Sequence, residues 1–236
     1  MIWEIEGKNK KSYLLGAAHF FPYSFKNSLK NYVSKVNDVI FEGDVSANIT
    51  KYFDTKKDMA IEDLLDIHTK TKIKDEIGYV IYSDMMTINV GSEIFSQIKH
   101  YEPWAAYLFI WLYYLKIKGW KHSMELDTMR LAKKTGKNVH ILETLDEQIA
   151  ALKKMPIDKI VKRFKDIDKW GEELKMFSKM YIKGDLMNAL EVTREYPTRC
   201  EDVIDKRDKR LYERMKPFFI KGNSLVLVGI AHIPGL

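Results

Sequence analysis

An α/β fold with a mainly parallel or mixed central sheet is what this sequence predicts, and three observations predict it. Short apolar runs of strand length, Tyr13 to Leu15, Val39 to Phe41, Val139 to Leu142 and Leu225 to Val228, are separated by segments of helical periodicity. The order strand, amphipathic helix, strand at the amino-terminal end implies parallel pairing with a right-handed crossover. A strand-end pattern occurs twice, as Gly16-Ala17-Ala18-His19 and as Gly229-Ile230-Ala231-His232. Glycine at such a place lets the chain turn sharply or pass close to another group. A histidine three positions on stands just off the carboxyl end of its strand, where open α/β sheets bind ligands.

Taken in order, Ile2 to Glu6 and Ser12 to Leu15 flank Gly7-Lys8-Asn9-Lys10, which reads as a hairpin. Phe20-Phe21-Pro22 makes a turn, and Phe25 to Val36 follows as a helix with Leu29, Val33 and Val36 on one face. Val39 to Phe41 is a buried strand ended by Glu42, which the crossover places beside His19 at one sheet edge. The next eighty or so residues read as helical, with Ile61, Leu64 and Leu65 opening one helix and Ile77 to Met86 an apolar, tyrosine-rich continuation. Pro103 to Leu115 is the most apolar element, started by proline and stopped near Gly119. It would span roughly 20 Å against the ~30 Å of a bilayer core, so it reads as a central core helix and not a membrane span.

Ser123 caps a helix running to Thr135, and Gly136 ends it. Val139 to Leu142 is a strand ended by Glu143, with His140 packed inside it, and Leu145 to Leu152 is the next helix. Asp158 to Phe219 is mostly helical, broken near Gly171, Gly184 and Pro197, before the strand Leu225 to Val228 delivers His232.

Composition narrows the classes. The chain has 236 residues, 46% apolar and 31% charged, enough to bury a real core in one domain. A single domain over residues 1–236 is expected, with a helical insertion at about 45–122. Cys200 is the one cysteine, which excludes an intrachain disulfide and a multi-cysteine metal site. A net charge of +6 invites a nucleic-acid reading. Its lysines are scattered among acids without an arginine-rich run, so a solvated basic surface is expected and no nucleic-acid partner. Met1-Ile2-Trp3-Glu4 lacks the features of a signal peptide, and a cytoplasmic location is expected unless an export segment has been removed.

The two Gly-x-x-His motifs resemble those of the TraB/GumN family, which includes PrgY and the TIKI proteases. The likeness extends to Asn37 through Asp44, similar to the family's second strand, and to Met124-Glu125-Leu126 with Gly136 to Val139 and Leu142 to Gln148, similar to its central block. Arg207-Asp208 falls where the family usually has Arg-Asn, so the second position departs. The stretch from about Val45 to His122 matches weakly, and the sequence stops at Gly235-Leu236, where the family usually continues with another helix and strand. The chain is therefore expected to be short for the family or cut. The resemblance implies a fold related to erythromycin-esterase and ChaN-like proteins, and a metal-dependent peptidase.

If the strands lie parallel, His19, Glu42, Glu143 and His232 converge on one edge. His19, Glu42 and His232 are then a competent ligand set for a divalent ion, manganese, cobalt or zinc. Glu42 and Glu143 are candidate bases, and Glu125 joins the catalytic candidates on the family's motif, although a carboxylate there also suits a helix amino terminus. Arg207 lies four residues from both Val203 and Leu211 on an apolar stripe, where a charge calls for a carboxylate partner, Glu42 or Glu143. It could instead stabilise an oxyanion, or run its head out to water. HExxH is absent, and His68, His100 and His122 carry no pattern. The expected partner is a peptide or small-molecule substrate, with oligomerisation left open. A peptide- or pheromone-binding protein without turnover, and a metal-free ester or amide hydrolase, are the alternatives.

Overall fold

A computed structural model of the chain describes residues 1–7, 10–53, 60–83, 86–89 and 93–236. Its centre is a mixed five-stranded sheet in the order β1-β2-β7-β3-β6. The strands are β1 (Ile2–Glu6), β2 (Lys11–Ala17), β3 (Asp38–Phe41), β6 (Asn138–Ile141) and β7 (Ser224–Gly229). Only β1 runs antiparallel, paired with β2; the β2–β7, β3–β7 and β3–β6 pairs are all parallel. The expected α/β class and the hairpin strands are present, while Lys8 and Asn9 of its turn lie outside the described residues.

One expectation needs correcting. The first crossover does not make β2 and β3 neighbours, because the last strand, β7, is inserted between them. Leu225 to Val228 are fully apolar and buried, as a strand flanked on both sides and covered on both faces must be.

Alternation along the strands sorts the core into two layers. Tyr13, Leu15, Val39, Phe41, Leu225 and Leu227 face the larger cluster. It is shared with α1 (Lys26–Ser34), α5 (Pro103–Ile117), α6 (Met124–Lys134) and α9 (Trp170–Lys183). Leu14, Ile40, Val226 and Val228 face the other way, against Leu211 and Met215 of α11 (Asp205–Lys221). The sheet is thus sandwiched between α11 and the remaining helices.

The stretch between β3 and α6 holds α2 (Ile61–Leu64), α3 (Ile67–Ile77), α4 (Ile94–Ile98) and α5, but it is not wholly helical. Tyr79–Ser83 and Met86–Asn89 are β4 and β5, a separate antiparallel pair, where a helical continuation was expected; Asp84 and Met85 lie outside the described residues. β-branched and aromatic residues between Gly78 and the following polar stretch favour strand over helix. Among the described residues, no helix is long and apolar enough to cross a membrane.

The remaining helices, α7 (Leu145–Leu152), α8 (Ile157–Lys165), α9 and α10 (Leu186–Val192), lead to α11. Gly171 does not break the chain as expected: it lies in the first turn of α9, and the interruption falls just before, at Asp166 to Lys169. Gly184 does end α9, in the left-handed region at φ 76°. His140 is not packed core either. It is partly exposed, and its Nε2 lies 2.9 Å from Asp38 at the amino end of the strands.

Gly222 joins α11 to β7 at φ 75°, and a β-carbon there would lie 2.5 Å from the carbonyl oxygen of Lys10. Gly222→Ala is expected to cost about 1–3 kcal/mol through strain, or roughly 2–4 °C of melting temperature per kcal/mol. An unshifted thermal melt would show that this junction can rearrange.

Candidate active site at the carboxyl edge of the sheet

Four parallel strands end at one edge, and each carries one of the singled-out side chains. His19 follows β2, Glu42 follows β3, Glu143 follows β6 and His232 follows β7. Gly229 lies at the focus of three of them. A methyl group added there would stand 3.4 Å from Glu42 Oε2, 3.6 Å from His232 Cδ2 and 3.9 Å from His19 Nε2. Gly16 serves by close packing: its missing side chain leaves room for Ile233 Cγ1, 3.0 Å from where a β-carbon would be. Neither glycine adopts a positive φ.

Each histidine is anchored through Nδ1 on a carboxylate. His19 Nδ1 lies 2.7 Å from Glu125 Oε1. Glu125 sits in the first turn of α6, where the capping residue Ser123 donates to its other oxygen at 3.2 Å. His19 is open to solvent, 72% exposed, so the pull of Glu125, which raises its pKa, is screened by water. Burial pushes the Glu125 carboxyl up, and His19 more than offsets it, leaving it lowered.

His232 is the opposite case. It is buried in the 3-10 turn Ile230–Gly235, with Nδ1 2.5 Å from Asp208 Oδ1. Its Nε2 lies 3.3 Å from Arg207 Nη1 and 3.7 Å from Glu42 Oε1. That geometry fits Nδ1–H donating to Asp208. Asp208 is buried on α11. Its position in the row Ile204, Asp208, Leu211 and Met215 is the helical spacing that could have revealed it from sequence.

Arg207 joins the set. Its head is buried, with the side chain 7% exposed. Nη2 donates to Glu42 Oε1 at 2.5 Å and to Glu143 Oε2 at 2.5 Å, Nε donates to Glu143 Oε2 at 3.0 Å, and Nη1 donates to the carbonyl of Val203 at 2.9 Å. Glu143 is fully enclosed and also accepts from Arg210 Nε at 3.0 Å and from Arg210 Nη2. With both oxygens taken by two guanidinium groups, Glu143 has no free lone pair for a water in this arrangement. It holds Arg207 in place.

Glu42 is the carboxylate at the focus. Burial alone would push its carboxyl up, but His232, Arg207, His19 and the Gly229 N–H donor, 2.7 Å from Oε2, together hold it down at about 2. It is therefore an anion at neutral pH. Among the described residues, no three His, Cys, Asp or Glu side chains are drawn in around one point as a group ready to hold a metal ion. An apolar groove of about 410 Å³ lies elsewhere, lined by Ile5, Glu6 and Gly7 at the far end of the sheet with Phe219 and Ile220.

The chain belongs to the TraB/PrgY/gumN family, whose family model matches residues 1–236, the whole chain. No curated protein and no solved structure matches it.

Proposed function

We propose that this TraB/PrgY/gumN-family chain is a metal-dependent hydrolase that cuts amide bonds in peptides. One observation carries the reading: two histidines at one sheet edge, each tied through Nδ1 to a carboxylate, with the ionised Glu42 close to both. Imidazoles held in this way by carboxylates are the usual support of metal-ligating histidines.

The residues fit a divalent ion in donor chemistry. His19, Glu42 and His232 would hold it, giving two nitrogens and a carboxylate with positions left for water. A bound ion would supply a Lewis acid that polarises a carbonyl and lowers the pKa of water towards neutrality. The chain's own residues supply the rest. Glu125 and Asp208 fix ring orientation, Glu143 and Arg210 fix Arg207, and Arg207, its N–H groups already engaged, would act on developing negative charge through its buried positive field beside Glu42 and His232. His19, open to solvent, is the member a substrate meets first.

A specific observation favours a second reading. Glu42 and His232 Nε2 are already engaged by Arg207 and the Gly229 N–H, as suits a protein that holds a peptide without cutting it. The two readings part in one experiment, an unbiased peptide library incubated with Mn²⁺, Co²⁺ or Zn²⁺ and with chelator. Cleavage that requires the ion and stops with chelator is expected. Tight peptide binding without cleavage under every condition would replace the hydrolase with the sequestering protein.

A further inference from the structure

Six of the seven arginines have a carboxylate within ion-pairing distance: Arg130, Arg163, Arg194, Arg207, Arg210 and Arg214. Arg199 is the exception among the described residues. It is half-buried, and its one side-chain hydrogen bond runs from Nη1 to the carbonyl oxygen of Ala231 at 3.0 Å. Ala231 is the residue before His232, so this guanidinium sits against the second Gly-x-x-His turn. Burial lowers its pKa, and Asp205 and Asp208 counter this only from a distance.

Its backbone is fixed from both sides. The Arg199 N–H donates to Tyr196 at 2.8 Å, and its carbonyl accepts from Lys159 Nζ at 3.1 Å. The remaining N–H donors of this half-buried guanidinium have no protein partner among the described residues and are not sealed off from the surface, so they are open to a ligand. Propping the Ala231 carbonyl needs only one donor. The rest of a planar fork suits a carboxylate, which it grips through two parallel bonds.

We propose that Arg199 is a specificity-determining residue that binds a carboxylate of the ligand beside His232. The carboxylate is either the C-terminal group of a peptide or an Asp or Glu side chain, and the fork accepts both. The site's ligand is then an anionic peptide, and cleavage falls near the charged group. The location rests on the hydrolase reading of the site, whereas carboxylate binding itself does not need turnover.

The test uses three probes: acetyl-Ala-Ala-Ala with a free carboxylate, the same peptide as its C-terminal amide, and acetyl-Ala-Asp-Ala amide. Dissociation constants are measured by calorimetry on the wild type, Arg199→Gln and Arg199→Lys, with and without Mn²⁺, and the same samples are checked for cleavage by mass spectrometry. A charged probe is expected to bind about 10- to 100-fold more tightly than the neutral amide. Arg199→Gln should abolish that preference without changing the melt, and whichever charged probe shows it identifies the source of the carboxylate. Arg199→Lys, which keeps the charge without the fork, should retain a reduced preference and serves if the glutamine variant does not fold. Equal affinity for all three probes, no binding of any, a preference that survives in Arg199→Gln, or an equal loss for all three would overturn the proposal; the last would leave Arg199 as a prop for the turn. Charge preference without cleavage would count against the hydrolase alone, and cleavage without charge preference against this proposal alone.

Discussion

His19→Ala and His232→Ala are each expected to remove metal-dependent turnover and to lower the bound ion well below one per chain. Loss of a group that merely supports a ligand commonly costs 10- to 100-fold in affinity or activity, so loss of a ligand should cost at least about 100-fold. The variants should differ in stability. His19 is exposed, but its removal leaves the buried Glu125 with Ser123 as its remaining side-chain partner, so its melt should fall by the smaller amount. His232 is buried, and its removal leaves Asp208 without its Nδ1 partner, at a cost of about 1–3 kcal/mol. Metal analysis on untagged protein, beside thermal melting, reads both effects. Full metal occupancy and turnover in either variant would show that the two histidines do not share a site.

The sequence carried much of this edge because strands ending in a polar residue after an apolar run are a local signal. Tyr13 to His19, Val39 to Glu42, Val139 to Glu143 and Leu225 to His232 all show it, and the four strands concerned do run parallel. Sheet order carries no such signal. The insertion of β7 between β2 and β3 depends on contacts between chain ends, and an apolar run reads alike whether its neighbours are near or far in sequence.

Partners of the site residues divide in the same way. Arg207 betrayed itself by standing on an apolar stripe, which narrowed its carboxylates to Glu42 and Glu143; both are its partners in the structure. Arg210 was missed, and with it the saturation of Glu143, because a half-exposed arginine on a charged helix looks like any solvated residue. Asp208 was noted as a departure from the family's pattern, but its bond to His232 depends on how the turn after β7 folds back on α11. That turn closes tightly. A β-carbon on Gly235 would lie 1.9 Å from Asp208 Oδ2, so glycine is what lets the chain pass the carboxylate. The β4–β5 pair shows the opposite failing, since a tyrosine-rich apolar run has no periodicity to separate strand from helix.

Arg207→Met is expected to have the largest effect on stability, because it leaves Glu42 and Glu143 buried without their shared cation. Breaking a buried pair from one side costs about 3–5 kcal/mol, or roughly 2–4 °C of melting temperature per kcal/mol. Arg207→Lys keeps the charge but cannot place separate donors on Glu42, Glu143 and the Val203 carbonyl. It should fold with a smaller loss of stability and lose most activity. Acid titration gives an independent check. Glu42 is held at about 2, below its ordinary 4.5, so its contribution to stability is present in full above pH 4.5 and is lost as the pH falls towards 2. The wild type should therefore weaken through that window, and Arg207→Met, in which Glu42 keeps less of its depression, should weaken less steeply there. Unchanged melting and turnover in Arg207→Lys and Arg207→Met would place the guanidinium outside the working site. A lowered melt with turnover per folded molecule intact would leave Arg207 as an ion-pair brace for the sheet edge, with the oxyanion left to other donors.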